Sequence, residues 1–196
     1  MRKKLLAITL LFVLTLAGCG GSKPNGELEM PTAGPTTTPE EGTEDTGEEK
    51  YYVTFEATTT EGDAWNSDKF AGSKLTMINV WGTYCGPCLN EMPALGELAA
   101  EYAAEEFQIV GIICDVMDTD GQEAIDAAKE LISETKANYP HLLLNESLYT
   151  NLVGAVTAVP TTFFVGQDGA MIGYLTGALD KESWKQLIDE LLAEVQ

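Results

Sequence analysis

Apolar positions along the chain follow two different periods. Leu75 to Val80 and Phe107 to Cys114 are short, β-branched and nearly continuous in apolar character, the pattern of strands covered on both faces. Leu142-Leu143-Leu144 predicts a further short strand, and Tyr51 to Ala57 alternates as a strand with Tyr52 or Val53 and Phe55 on its buried side. Thr161 to Val165, turning through Gly166-Gln167-Asp168-Gly169 into Ala170 to Thr176, predicts a hairpin. Between these, the apolar spacing is helical. Leu89 to Tyr102 places Leu89, Met92, Leu95, Leu98 and Tyr102 on one side, with Pro93 expected to kink it. A helix from Gly121 to about Asn138 is expected to open on a capping pair, Asp120 and Glu123. A short helix is predicted over Leu148 to Val153, and a last one, capped by Asp180, carries Trp184, Leu187, Ile188, Leu191 and Val195 on one side. Thr58 to Asp63 reads as a turn and Trp65 to Phe70 as a short helical or irregular connection. Strands alternating with helices, closed by a hairpin and a helix, predict an α/β domain with a mixed central sheet between helical layers.

The first 50 residues follow neither period. Arg2, Lys3 and Lys4 precede an apolar run from Leu5 to Leu16, well short of the ~20 residues of a spanning helix, and the arrangement is that of an export signal over residues 1–18. Leu16-Ala17-Gly18-Cys19 resembles the lipobox of bacterial lipoproteins, which implies cleavage before Cys19, lipid on its sulfur, and an extracytoplasmic protein anchored to the membrane. Residues 19–50 have no aromatic residue and are rich in Gly, Pro, Thr and Glu, so they read as a disordered acidic linker. A tether of roughly 30 residues spans about 30 Å. The remaining residues, 51–196, hold the domain.

Charge narrows the partners. The chain carries 11 basic and 31 acidic side chains, a net charge of −20, and removal of the leader makes it more acidic still by taking Arg2, the only arginine. A chain without a guanidinium fork and with this excess of acid excludes nucleic acid as a partner.

The candidate chemistry lies where the strand ending at Val80 meets the next helix: Trp81-Gly82-Thr83-Tyr84-Cys85-Gly86-Pro87-Cys88. On a first helical turn the two cysteines share a face and can close a disulfide. Cys85, at the helix N-terminus, is favoured as a thiolate by unpaired N–H groups and the helix dipole, whereas Cys88, one turn in, is shielded. Cys85 is therefore expected to attack and Cys88 to resolve. Trp81 and Tyr84 flank the loop and either form a shallow apolar docking surface or pack the core. Cys114, on a buried strand, reads as inert, and His141, the single histidine, as structural or exposed.

The element order together with Asn-Val-Trp-Gly-Thr-Tyr-Cys-Gly-Pro-Cys, Glu91-Met92-Pro93, Val159-Pro160-Thr161-Thr162-Phe163, and an insertion between Cys114 and Leu142 resembles the TlpA/ResA group of thiol-disulfide oxidoreductases in the thioredoxin superfamily. The resemblance implies a thioredoxin-like fold with an N-terminal strand extension, a cis peptide bond before Pro160, and a Val159 backbone that pairs with an extended substrate. It also implies that Glu91 is an acid/base group near the buried thiol. Cytoplasmic thioredoxins carry a buried Asp six residues before the first Cys, and Asn79 stands there in this chain. Gly86-Pro87 matches thioredoxin itself, a reducing dithiol near about −270 mV. The implied activity is reduction of disulfide-containing protein substrates, such as oxidised haem-binding cysteines of apocytochromes c or an extracytoplasmic methionine sulfoxide reductase, with electrons from a CcdA-like membrane donor and no cofactor. A disulfide-forming oxidant and a copper chaperone of the same fold stand as alternatives. The chaperones use a wider Cys spacing with a nearby His.

Overall fold

The computed structural model describes residues 50–195. The expected leader over residues 1–18, Cys19, and the linker up to residue 49 lie outside the described residues.

A five-stranded sheet of order β5-β4-β3-β6-β7 forms the centre. Strands β3 (Leu75–Trp81), β4 (Phe107–Met117) and β5 (His141–Leu144) run parallel; β6 (Thr161–Gly166) is antiparallel to β3, and β7 (Met171–Thr176) is antiparallel to β6. The period of two along β3 sorts its side chains: Leu75, Met77 and Trp81 enter the core under one face, Ile78 and Val80 the core under the other. Against the first face lie α1 (Gly86–Glu101), α2 (Gln122–Glu134) and α4 (Lys181–Glu194), which bury Met92, Leu95, Leu98, Ala128, Trp184 and Ile188 there. The second face is covered by the N-terminal segment and by α3 (Glu146–Asn151) with the 3-10 turn after it, Val53, Phe55, Trp65, Phe70 and Leu148 supplying the apolar contact. The architecture is thus the α/β class with a mixed sheet that the periodicity predicts.

Five boundaries differ from the expectation, each for a local reason. The alternating segment from Tyr51 divides. Tyr51 to Val53 pairs with residues 169–171 at the start of β7, while β1 (Glu56–Thr58) pairs with β2 (Ala64–Asn66) in a separate hairpin. Trp65 belongs to that hairpin because its ring stacks on Phe55 at 5.3 Å, and the 3-10 turn begins only at Ser67. Asp120 does not cap α2. Its carboxylate accepts the Met117 N–H and closes the end of β4, and Gly121 is the N-cap without a side-chain bond. The same helix stops at Glu134, two residues before Lys136 takes a φ of 54°. The short helix starts earlier, at Glu146, because Asn145 caps it through the Leu148 N–H. Helix α1, in contrast, continues through Pro93.

Close backbone approach sets one position in β4. A Cβ on Gly111 would stand 2.3 Å from His141 Nδ1, and the imidazole beside it is buried. Gly111→Ala is therefore expected to destabilise the fold by about 1–3 kcal/mol, the usual range for overpacking. Denaturant unfolding checks it; a midpoint equal to that of the unsubstituted protein would contradict the packing described here.

Candidate active site

The dithiol lies at the junction of β3 and α1, at the carboxyl ends of the parallel strands. Cys85 is the N-cap of α1, and Pro87 occupies the first turn, where a missing N–H costs nothing. The two cysteines form a disulfide with their Cα atoms 5.3 Å apart. They are unequal: Cys85 keeps 5% of its surface, Cys88 none, and the Cys85 sulfur accepts the Cys88 backbone N–H at 3.2 Å. That bond and the helix N-terminus would steady a thiolate at Cys85 once the disulfide is opened. The Cys85 sulfur also lies 3.6 Å from the Val159 carbonyl oxygen. In the disulfide this is contact only; a reduced Cys85 thiol can donate there. The Val159–Pro160 peptide bond is cis. Val159 is half-buried beside the apolar clusters of both faces.

Glu91 lies on the buried side of α1, three residues beyond Cys88, and is 3% exposed. Its Oε1 accepts from Asn79 Nδ2 at 3.1 Å; its Oε2 accepts from the Trp184 indole N–H at 3.2 Å and the Leu179 N–H at 3.3 Å. Burial away from water pushes the carboxyl up to about 7, against the opposite pull of these donors. A carboxyl so placed exchanges its proton near neutral pH.

Trp81 is fully buried, so it packs the core and forms no docking surface. Its indole N–H donates to His141 Nδ1 at 3.1 Å, and the other imidazole nitrogen bonds the Ala137 carbonyl at 3.0 Å. Because Nδ1 accepts, the proton is on Nε2, and burial pushes the imidazole down to about 4. The histidine is therefore a structural member of the core, one residue removed from the dithiol loop through Trp81.

Tyr84 is 72% exposed and the most prominent apolar side chain next to Cys85. Its hydroxyl meets the Cys114 sulfur, which holds the phenol above its ordinary pKa. Cys114 is half-buried, and burial raises its thiol, so it is not activated. The β4–β5 register shifts between Ile113 and Met117, and from this irregular stretch Asp115 binds the Thr83 N–H at 3.0 Å and the Thr83 hydroxyl at 2.5 Å. Asp115 thus fastens the loop before the cysteines.

Sequence reasoning left Trp184, Thr162, Leu179 and Asp115 without a role at this site. Only Trp184 carried a signal: a buried indole N–H needs a partner, and no hydrophobic pattern names one.

Residues 50–173 match the model of the AhpC/TSA family. The thiol-disulfide oxidoreductase ResA of Bacillus thuringiensis subsp. konkukian is 27% identical over 137 residues, which span 70% of this chain and 74% of that one. A thiol:disulfide interchange protein of the thioredoxin family from Chlorobium tepidum has a TM-score of 0.63 at 21% identity, covering 76% of this chain and 99% of its own. The exposed lipoprotein thioredoxin of Streptococcus pneumoniae has a TM-score of 0.57 at 21% identity, covering 70% and 99%. The two structures establish the thioredoxin-like fold.

Proposed function

The chain belongs to the AhpC/TSA family and is a ResA/TlpA-like thiol-disulfide oxidoreductase of the thioredoxin superfamily, and on that premise we propose that it reduces protein disulfides from the outer face of a bacterial membrane, anchored by lipid on Cys19. One observation carries the chemistry: the Cys85 sulfur caps α1 and the Cys88 sulfur is buried behind it, with a carboxyl of near-neutral pKa one turn further along.

The cycle starts from the dithiol. The Cys85 thiolate attacks one sulfur of the substrate disulfide; that S–S bond breaks, a mixed disulfide forms on Cys85, and the first substrate sulfur leaves as a thiolate. Cys88 then gives its proton to Glu91 and attacks the Cys85 sulfur. The mixed disulfide breaks, the second substrate thiolate departs, and the Cys85–Cys88 disulfide remains. Two electrons have passed to the substrate, and a CcdA-like membrane dithiol donor returns them. Tyr84, Gly86, Pro87 and Val159 border the sulfur that the substrate must reach, and the Val159 backbone is the edge on which an extended substrate segment would lie. Oxidised haem-binding cysteines of apocytochromes c and the disulfide of a methionine sulfoxide reductase are the substrate classes proposed. Among the described residues no helix is long and apolar enough to cross a membrane; the anchor proposed is the lipid at Cys19.

Direction rests on Gly86-Pro87. The Cys85/Cys88 couple, equilibrated against glutathione and read by thiol alkylation, is expected to have a potential below about −220 mV, on the thioredoxin side of the scale. A value near about −120 mV, the range of strong oxidants, would reverse the assignment to disulfide formation.

A further inference from the structure

Glu91 is met by donors of two kinds. On Oε2 they are the Trp184 indole N–H and the Leu179 backbone N–H, neither of which can accept a proton. A proton on Oε2 would confront both. Oε1 is met by Asn79 Nδ2 alone, and the same nitrogen reaches Thr162 Oγ1 at 3.2 Å. These two bonds are reversible. An amide turned end for end, with the hydroxyl rotated, lets Asn79 Oδ1 accept from a protonated Oε1 and from Thr162. Asn79 Oδ1 is buried and has no hydrogen-bond partner in the arrangement observed, so the side chain holds an acceptor in reserve.

We propose that Asn79 is a positioning residue for proton transfer, confining the exchangeable proton to Glu91 Oε1 and reversing its amide with the Thr162 hydroxyl when that oxygen is protonated. The inference rests on Glu91 as the proton acceptor of the resolving step. As the Cys88 sulfur loses its proton, Oε1 gains one, and Oε2 keeps its two donors throughout. The groups that meet Glu91 are Asn79 from β3, Trp184 from α4 and the Leu179 N–H before α4; Thr162 from β6 bonds Asn79 behind it, Cys88 precedes it by three residues on α1, and Tyr139 from the segment before β5 has a buried hydroxyl that senses the Glu91 charge. Of these, Cys88 and Tyr139 titrate. In the disulfide form Cys88 does not, and burial raises Tyr139 away from neutral pH. An Asp in place of Asn79 could only share a proton with Glu91.

The test is a carbon-13 NMR titration of the Glu91 carboxyl in the full chain with its disulfide closed, the resonance assigned with Glu91→Gln. The unsubstituted protein is expected to show one step near 7. Asn79→Leu, similar in size, loses a charge-assisted bond to the carboxylate and a weaker neutral one to the protonated form, so it is expected to raise the midpoint by roughly half to one pH unit. Asn79→Asp is expected to give two coupled steps on either side of it. A midpoint unmoved in Asn79→Leu overturns the proposal; should that variant not fold, a single unmoved step in Asn79→Asp does the same. A step near 7 that survives Glu91→Gln would instead overturn the assignment of Glu91, which separates the two failures.

Discussion

Cys88→Ser is expected to lower turnover of a disulfide substrate by on the order of 10³-fold or more while leaving the first attack intact. The resolving sulfur is held one helical turn from the mixed disulfide, an intramolecular geometry whose effective concentration far exceeds that of any millimolar external thiol. A serine hydroxyl cannot replace it. Cys85 remains the N-cap of α1, its sulfur facing the Cys88-position N–H, so it still captures a substrate sulfur and then holds it. The measurement is a covalent adduct on Cys85, released by dithiothreitol and seen by non-reducing electrophoresis and mass spectrometry. Cys85→Ser should form no adduct at all. Adducts on Cys88 in that variant, at the rate seen on Cys85, would contradict the ordering of the two sulfurs, since Cys88 has no exposed surface.

Glu91→Gln is expected to lower the rate of the resolving step by about 10²-fold or more, the lower part of the range for loss of a general base, and to remove the step near neutrality from its pH profile. The substitution keeps the packing: the amide oxygen can take the Trp184 and Leu179 donors, and the amide nitrogen can meet a reversed Asn79. Stability should respond as well, with a sign that follows from the direction of each shift. Glu91 has its carboxyl raised from 4.5 to about 7, so the folded state binds the proton more tightly than the unfolded chain, and stability falls as pH rises through that window. His141 is lowered from 6.5 to about 4, so stability falls as pH drops through its window. The two slopes oppose each other over the interval they share, each worth on the order of 3 kcal/mol across its full window. The unsubstituted protein is therefore expected to be nearly flat in stability across the mildly acidic range. Glu91→Gln should leave the His141 slope uncovered, with stability climbing as pH rises toward 6.5. Urea midpoints at several pH values check it, and parallel profiles for the two proteins would contradict a buried, proton-binding Glu91.

These two expectations draw on different levels of the molecule. The order of strands and helices was legible from apolar periodicity, because each strand and helix buries one face or both within a few residues of its own sequence. The place of the dithiol was legible for the same reason. A strand such as β3 followed by an amphipathic helix leaves the loop between them at a helix N-terminus, and a cysteine there caps the helix. Errors fell where one nearby side-chain contact decided between local alternatives. Trp65 joined a hairpin through Phe55, and Asp120 bonded back to Met117 when it could have capped α2.

What the sequence by itself determined is the α/β class, the strand-loop-helix that presents Cys85 and shields Cys88, and the covering of the sheet on both faces. Only the tertiary structure decided how Glu91 titrates, because its partners Asn79, Leu179 and Trp184 lie 12, 88 and 93 residues away. It also decided that Trp81 is a core residue bound to His141, 60 residues on, and not part of a docking surface. The physical reason is that periodicity is a property of neighbours along the chain. Desolvation and hydrogen-bond partnership depend on what the fold brings to within about 3 Å, and no local pattern records it.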